Sequence, residues 1–132
     1  MTKITRGNPK NLKNVRSNIY HHYIRVDNPA TLIFLSGQLS RDADGNLVGR
    51  GDMAEQARQA IRNMQVVLEA AGGTLADIVS IVVYTTDIRQ FKEIVGARME
   101  FFRDTLPTST IVEVNHLADP GLLIEFQATA AL

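Results

Sequence analysis

Two stretches of this chain are too apolar for a sheet with one wet face. Residues 31–38 (TLIFLSGQ) and 78–85 (IVSIVVYT) lose the apolar–polar alternation through their middles. Each therefore reads as a strand that needs cover on both sides. Only two helical patterns accompany them. Residues 52–71 place Met53, Ala57, Ala60, Ile61, Met64, Val67, Leu68 and Ala71 on one face. Residues 88–103 repeat the spacing with Phe91, Ile94, Val95, Arg98, Met99 and Phe102. Two helices cover one face of a sheet. The other face must be hidden by something else, and association with further copies is the simplest cover.

Residues 19–26 (IYHHYIRV) read as a strand of β-branched and aromatic residues. Asn28-Pro29 marks a turn, so this strand and the next are expected to form a hairpin. Asp42, Asp44 and Gly45-Asn46 make a loop. That run resembles part of a calcium loop but lacks the closing bidentate Glu. Asp52 is the expected N-cap of the first helix, with Glu55 at capping-box spacing. Gly72-Gly73 ends the helix, and Pro107 ends the second one. Residues 109–115 (STIVEVN) and 122–130 (LLIEFQATA) close the chain as strands, joined by a loop over 116–121. The fold class is α+β, in the order β-β-α-β-α-β-β, as a single domain over 1–132. Residues 1–18, polar and carrying Gly7, Pro9 and several Asn, are expected to form an irregular arm.

Composition removes several functions. There is no cysteine, which excludes a disulfide scaffold, a thiolate nucleophile and a cysteine-ligated metal. Fourteen basic and fourteen acidic residues cancel and are interspersed. That pattern builds no field for nucleic acid. Without Trp, and with 6% aromatic residues, a base-stacking platform is not expected either. No apolar run approaches the ~20 residues of a membrane span, and the basic start lacks the apolar core of a signal peptide. A cytoplasmic protein without membrane or nucleic-acid partners is the expectation.

The stretch SGQLSRDADGNLVGRGDMAEQARQAIRNMQVVLEAAGG (residues 36–73) resembles the SGQ…G…Q…QA…N…LEAAG run of the Rid (YjgF/RidA) family. DIVSIVVYTTDIRQF (77–91), P-T-S-T (107–110) and IEFQATA (124–130) continue the likeness. The resemblance implies a chorismate-mutase-like fold with the mixed sheet and both helices on one face. It also implies a homotrimer with ligand pockets between neighbouring subunits. The best-characterised branch hydrolyses reactive enamines and imines to keto acids and ammonia, without cofactor or metal.

Carried over residue by residue, the family pocket falls on Ser36-Gly37 and on Glu125, which match. The family's strand arginine falls on Ser109, because P-T-S-T replaces P-A-R-S; Ile111 follows on the same strand. The helix Asn falls on Val95 and the helix Tyr on Arg98. The first-strand Tyr falls near His22, with Tyr20, His21 and Tyr23 as rivals. An arginine fork grips a carboxylate by two charge-assisted bonds, whereas a serine offers one weak donor. Either the substrate lacks that carboxylate or another cation, with Arg98 the candidate, takes over. Arg98 otherwise reads as a solvated residue on an amphipathic helix.

Glu125 is the residue expected to direct water at the C=N carbon. Its bland reading is a solvent-facing residue on an edge strand. His21 and His22, adjacent on a strand, point to opposite faces and cannot share a metal. One of them, taken as His22, is the expected proton carrier near neutral pH. Ser36, Gly37, Tyr23, Val95, Arg98, Ser109 and Ile111 are the expected substrate contacts. A trimer that only binds a small metabolite is the alternative to a deaminase.

Overall fold

The computed structural model describes all residues 1–132. A sheet carries two helices on one face and leaves the other open. Its strands are β3 (Leu32–Phe34), β4 (Gln38–Leu39), β5 (Ile78–Thr85), β6 (Thr108–Glu113) and β7 (Ile124–Ala131). The order is β3-β7-β5-β6, with β4 also paired to β7. β5 and β6 are parallel, joined through helix α2 (Phe91–Met99), as a parallel pair requires. All other pairings in this sheet are antiparallel.

Helix α1 (Met53–Ala70) forms where its periodicity places it. Asp52 caps it by accepting a hydrogen bond from the Glu55 N–H at 3.1 Å. At the other end Gly72 takes φ 90°, and Gly73 N–H donates to Leu68 C=O at 2.8 Å. The buried face of α1 holds Met53, Ala57, Ala60, Ile61, Met64 and Leu68. These meet Ile81, Val83, Ile124 and Phe126 from the sheet and Ile94 from α2 in one core. Val67 is part of the wall of that core, while Ala71 is exposed.

Gln56 is fully buried on the same face. Its amide donates to Gly49 C=O and Gly121 C=O, and its carbonyl accepts from Leu123 N–H. One side chain thus ties the loop before α1 to the loop before β7.

The N-terminal third departs from the sequence-based expectation in three ways. The arm over 1–18 is not irregular throughout, since Lys3–Gly7 form strand β1. The strand expected at 19–26 is Tyr23–Asp27, β2. β2 pairs antiparallel with β1 as a separate two-stranded ribbon, so the expected hairpin with residues 31–38 is absent. The turn chemistry explains this. Asn28 adopts φ 52°, its C=O accepts from Thr2 Oγ1, and Thr2 Oγ1 accepts from Ala30 N–H. The chain is redirected there, and Thr31 and Leu132 exchange backbone bonds that hand β3 to β7. The second helix is also shorter than 88–103. Residues 88–90 are a single 3-10 turn, and Phe102 enters the core from the segment after α2.

Alternation along paired strands sorts the two faces. Ile81, Val83 and Thr85 look toward the helices, beside Ser109, Ile111 and Glu113 on β6 and Ala128, Phe126 and Ile124 on β7. Val82 and Tyr84 look the other way, with Thr110, Val112, Glu125, Gln127 and Thr129. Phe34, 75% exposed, and Leu32, 50% exposed, extend this second face at the β3 end. The sheet face without helices is therefore a surface carrying large apolar side chains in the open.

Candidate functional site

Glu125 stands on the uncovered face near the start of β7, an interior strand of the sheet rather than an edge strand. It is half-buried, directly opposite Tyr84 on β5 and Leu39 on β4. The turn between β3 and β4 brings Gly37 against its carboxyl group. A Cβ at Gly37 would lie 2.7 Å from the Glu125 carboxyl carbon and overlap one of its oxygens. Only glycine permits this approach. Next to it, Tyr84 donates through its hydroxyl to the Gln127 side-chain carbonyl at 3.4 Å. Ser36 is exposed at the same turn, its C=O accepting from the Gln38 amide.

A second group of residues meets on the helix side of the sheet. A cavity of about 240 Å³ opens between residues 16–20 of the N-terminal segment and the α2–β6 wall. Its walls include Ile19, Tyr20, Phe91 and Ile111. Ser109 and Arg98 form its inner end, the Arg98 Nη1–H donating to Ser109 Oγ at 2.8 Å. Arg98 is 3% exposed, and its Nη2 is buried with no partner. Burial without a facing carboxylate pulls its pKa well below the ordinary arginine range, down to about 10. Arg16 lies at the rim, its guanidinium 5.0 Å from the centre of the Phe91 ring. His21 pins the segment in place: its backbone N–H bonds Pro107 C=O, and its Nδ1–H donates to Leu106 C=O at 2.9 Å.

The expected contacts thus divide into two clusters rather than one. Ser36, Gly37 and Glu125 belong to the open face. Arg98, Ser109 and Ile111 belong to the cavity beneath α2. Within one protomer the sheet separates them. Arg98 is not the solvated helix residue that its spacing also allowed.

Three expected residues fall outside both clusters. Val95 is half-buried on α2 and does not line the cavity. Tyr23 lies on the ribbon with its ring over Gly7, where a Cβ would fall 2.5 Å from the ring carbon Cζ. Of the four first-strand rivals, Tyr20 is the one in the cavity wall. His21 and His22 precede β2 and sit in no strand, so the opposite-face reasoning does not apply to them. His22 donates its backbone N–H to Asn8 Oδ1 and lies 6.0 Å from Tyr20, ring centre to ring centre; its Nδ1 is buried without a partner.

Tyr84 and Arg16 were not among the expected site residues. Tyr84 is legible as a cross-strand neighbour of Glu125 only once the β5–β7 register is known. Arg16 sits in a polar run without periodicity, so no local signal marks it. The remaining depressions, about 480 Å³ along residues 115–123 and about 540 Å³ between residues 38–45 and α1, are open and hold no cluster of His, Asp and Glu placed for a metal.

Residues 14–132 match a family profile described as Endoribonuclease L-PSP. A RutC family protein of Pyrococcus abyssi is 34% identical over 111 residues, 84% of each chain. The human 2-iminobutanoate/2-iminopropanoate deaminase is 32% identical over 98 residues, 74% of this chain and 71% of that one. Among solved structures, a Rid family protein of Yersinia pestis superposes with a TM-score of 0.88 at 29% identity, covering 98% of both chains.

Proposed function

This chain belongs to the Rid family, the group described as Endoribonuclease L-PSP, and from that premise we propose that it is a metal-free hydrolytic deaminase of a small enamine or imine. We place the reacting carbon in a seam between copies of a homotrimer. One observation carries this reading: the Glu125 carboxyl group is seated against Gly37 on an uncovered apolar face, while the guanidinium of Arg98 waits in a cavity on the other side of the sheet. Each half lacks what the other supplies. A neighbouring copy laid over the bare face would bring a cavity mouth to a Glu125 and hide Phe34 and Leu32 at once.

The chemistry needs only water and a positioned base. An imine carbon is already electrophilic. Glu125 takes a proton from water as its oxygen bonds to that carbon and passes it to the nitrogen, giving a neutral carbinolamine. The carboxylate then takes the carbinolamine hydroxyl proton and delivers it to nitrogen as the C=O bond forms, the C–N bond breaks and ammonia leaves. The carbonyl product retains the water oxygen. Arg98, held by Ser109, supplies the cation missing from the strand position. His22 has no part in this scheme. The endoribonuclease in the family's description is not adopted, because a chain of zero net charge offers no field to a polyanion.

The test generates 2-aminoacrylate enzymatically and follows ammonia release with and without the protein. Acceleration that disappears in Glu125→Ala is expected. No acceleration across a panel of imines, and no effect of Glu125→Ala, removes the deaminase. Stabilisation by ligands without turnover would leave a metabolite-binding protein in its place.

A further inference from the structure

Arginine pairing across the chain is uneven. Arg25, Arg41, Arg58, Arg62 and Arg89 each face a carboxylate within 4.0 Å. Arg6, Arg16, Arg50, Arg98 and Arg103 face none, and of these five Arg16 and Arg98 line the same cavity, whose wall contains no Asp or Glu. Two cations of like sign around one partly dry space repel each other. A buried guanidinium with an unpartnered N–H adds a desolvation cost that only an anion relieves fully.

We propose that this cavity binds a small dicarboxylate, with Arg98 holding one carboxylate at the inner end and Arg16 the second at the mouth. The two cations enter from different places. Arg16 rests on Phe91, and Arg98 is seven residues further along α2, about 10 Å on the helix axis at 1.5 Å per residue. With Arg16 at the exposed mouth and Arg98 at the buried inner end, the two charges stand at opposite ends of the cavity, which suits an elongated ligand with an anion at each end better than a compact sulfate or phosphate. The volume of about 240 Å³ lies below the ~300–1,000 Å³ of drug-sized sites and fits a short carbon chain. Between the cations, Ile19, Phe91 and Ile111 offer apolar wall for methylenes, and Tyr20 contributes to the same wall. Applied to the deaminase reading, on which this extension rests, the substrate class becomes 2-imino acids with a second carboxylate.

Binding of 2-oxo acids reads the cavity without turnover. Calorimetric titration of the full chain with 2-oxoglutarate, succinate, pyruvate, 2-oxobutanoate and sulfate at fixed ionic strength is the experiment. The dicarboxylates are expected to bind at least about tenfold tighter than the monocarboxylates, one guanidinium contact being worth that much. Arg16→Gln, at an exposed position, should bring that ratio toward one. Arg98→Gln should abolish binding of both classes. Equal affinities, an unchanged ratio in Arg16→Gln, or sulfate binding as tightly as the dicarboxylates would overturn the proposal. Turnover of monocarboxylic imines without a dicarboxylate preference would sink this inference and leave the deaminase standing. Dicarboxylate binding without any turnover would do the reverse.

Discussion

Replacing Arg98 by methionine should make the ligand-free protein more stable. Arg98 is buried, makes one side-chain bond to Ser109 and has no carboxylate partner. Desolvation lowers its pKa well below the ordinary arginine value, to about 10. At about 1.4 kcal/mol per pH unit, that difference means the charge costs the fold roughly 3 kcal/mol at neutral pH. Losing the charge-assisted bond to Ser109 gives back about 2 kcal/mol of this. Methionine fills most of the vacated volume, and its flexible chain adapts to the remainder. A net gain of about 1 kcal/mol is left, or about 4 °C in Tm for a domain of this size.

The pH dependence has a definite sign. Arg98 is a base whose folded-state pKa lies below its unfolded value, so stability rises as the group loses its proton. The penalty is complete below about pH 10 and fades as pH climbs from there toward the ordinary arginine range. The advantage of Arg98→Met should therefore be full at pH 7 and shrink above pH 10. Urea unfolding at both pH values, at one fixed protomer concentration and without added carboxylates, measures it. A variant less stable than wild type by more than about 1 kcal/mol at pH 7 would refute the reasoning, because it would mean the guanidinium is already compensated.

Gly37→Ala should leave the fold standing, since φ at Gly37 is ordinary, but it forces the Glu125 carboxyl group aside. Deamination rates are expected to fall by roughly 10²-fold, the cost of about 1 Å of misplacement, with a circular dichroism melt close to wild type. Gln56→Leu strands the buried Leu123 N–H and two carbonyls. A loss of about 2–3 kcal/mol in urea unfolding is expected, and a loss below about 1 kcal/mol would show that water replaces the amide. Phe34→Glu puts a charge in the open apolar face; light scattering should give a trimer mass for wild type and a monomer mass for the variant. A wild-type monomer at micromolar concentration would remove the shared seam from the account.

The sequence determined the pieces whose causes are local. Asp52, Glu55 and Gly72-Gly73 bracket α1 because caps act within a turn, and β5 appeared at 78–85 because an unbroken β-branched run has no competing period. The two-sided apolar strands announced an uncovered face, since surface that neither helix can reach is visible from counting elements. The Ser36-Gly37 and Glu125 positions were legible through family likeness, and their meeting follows from β4 and β7 being neighbours. Tertiary structure alone decided the rest. The ribbon of β1 and β2 rests on Thr2 bonding around Asn28, a long-range contact that no propensity encodes. Arg16 and Arg98 are 82 residues apart in sequence and meet only because the N-terminal segment folds back under the clip of His21. Whether an arginine is a solvated surface group or a buried, unpaired charge depends on what the rest of the chain lays over it, and helical spacing carries no record of that.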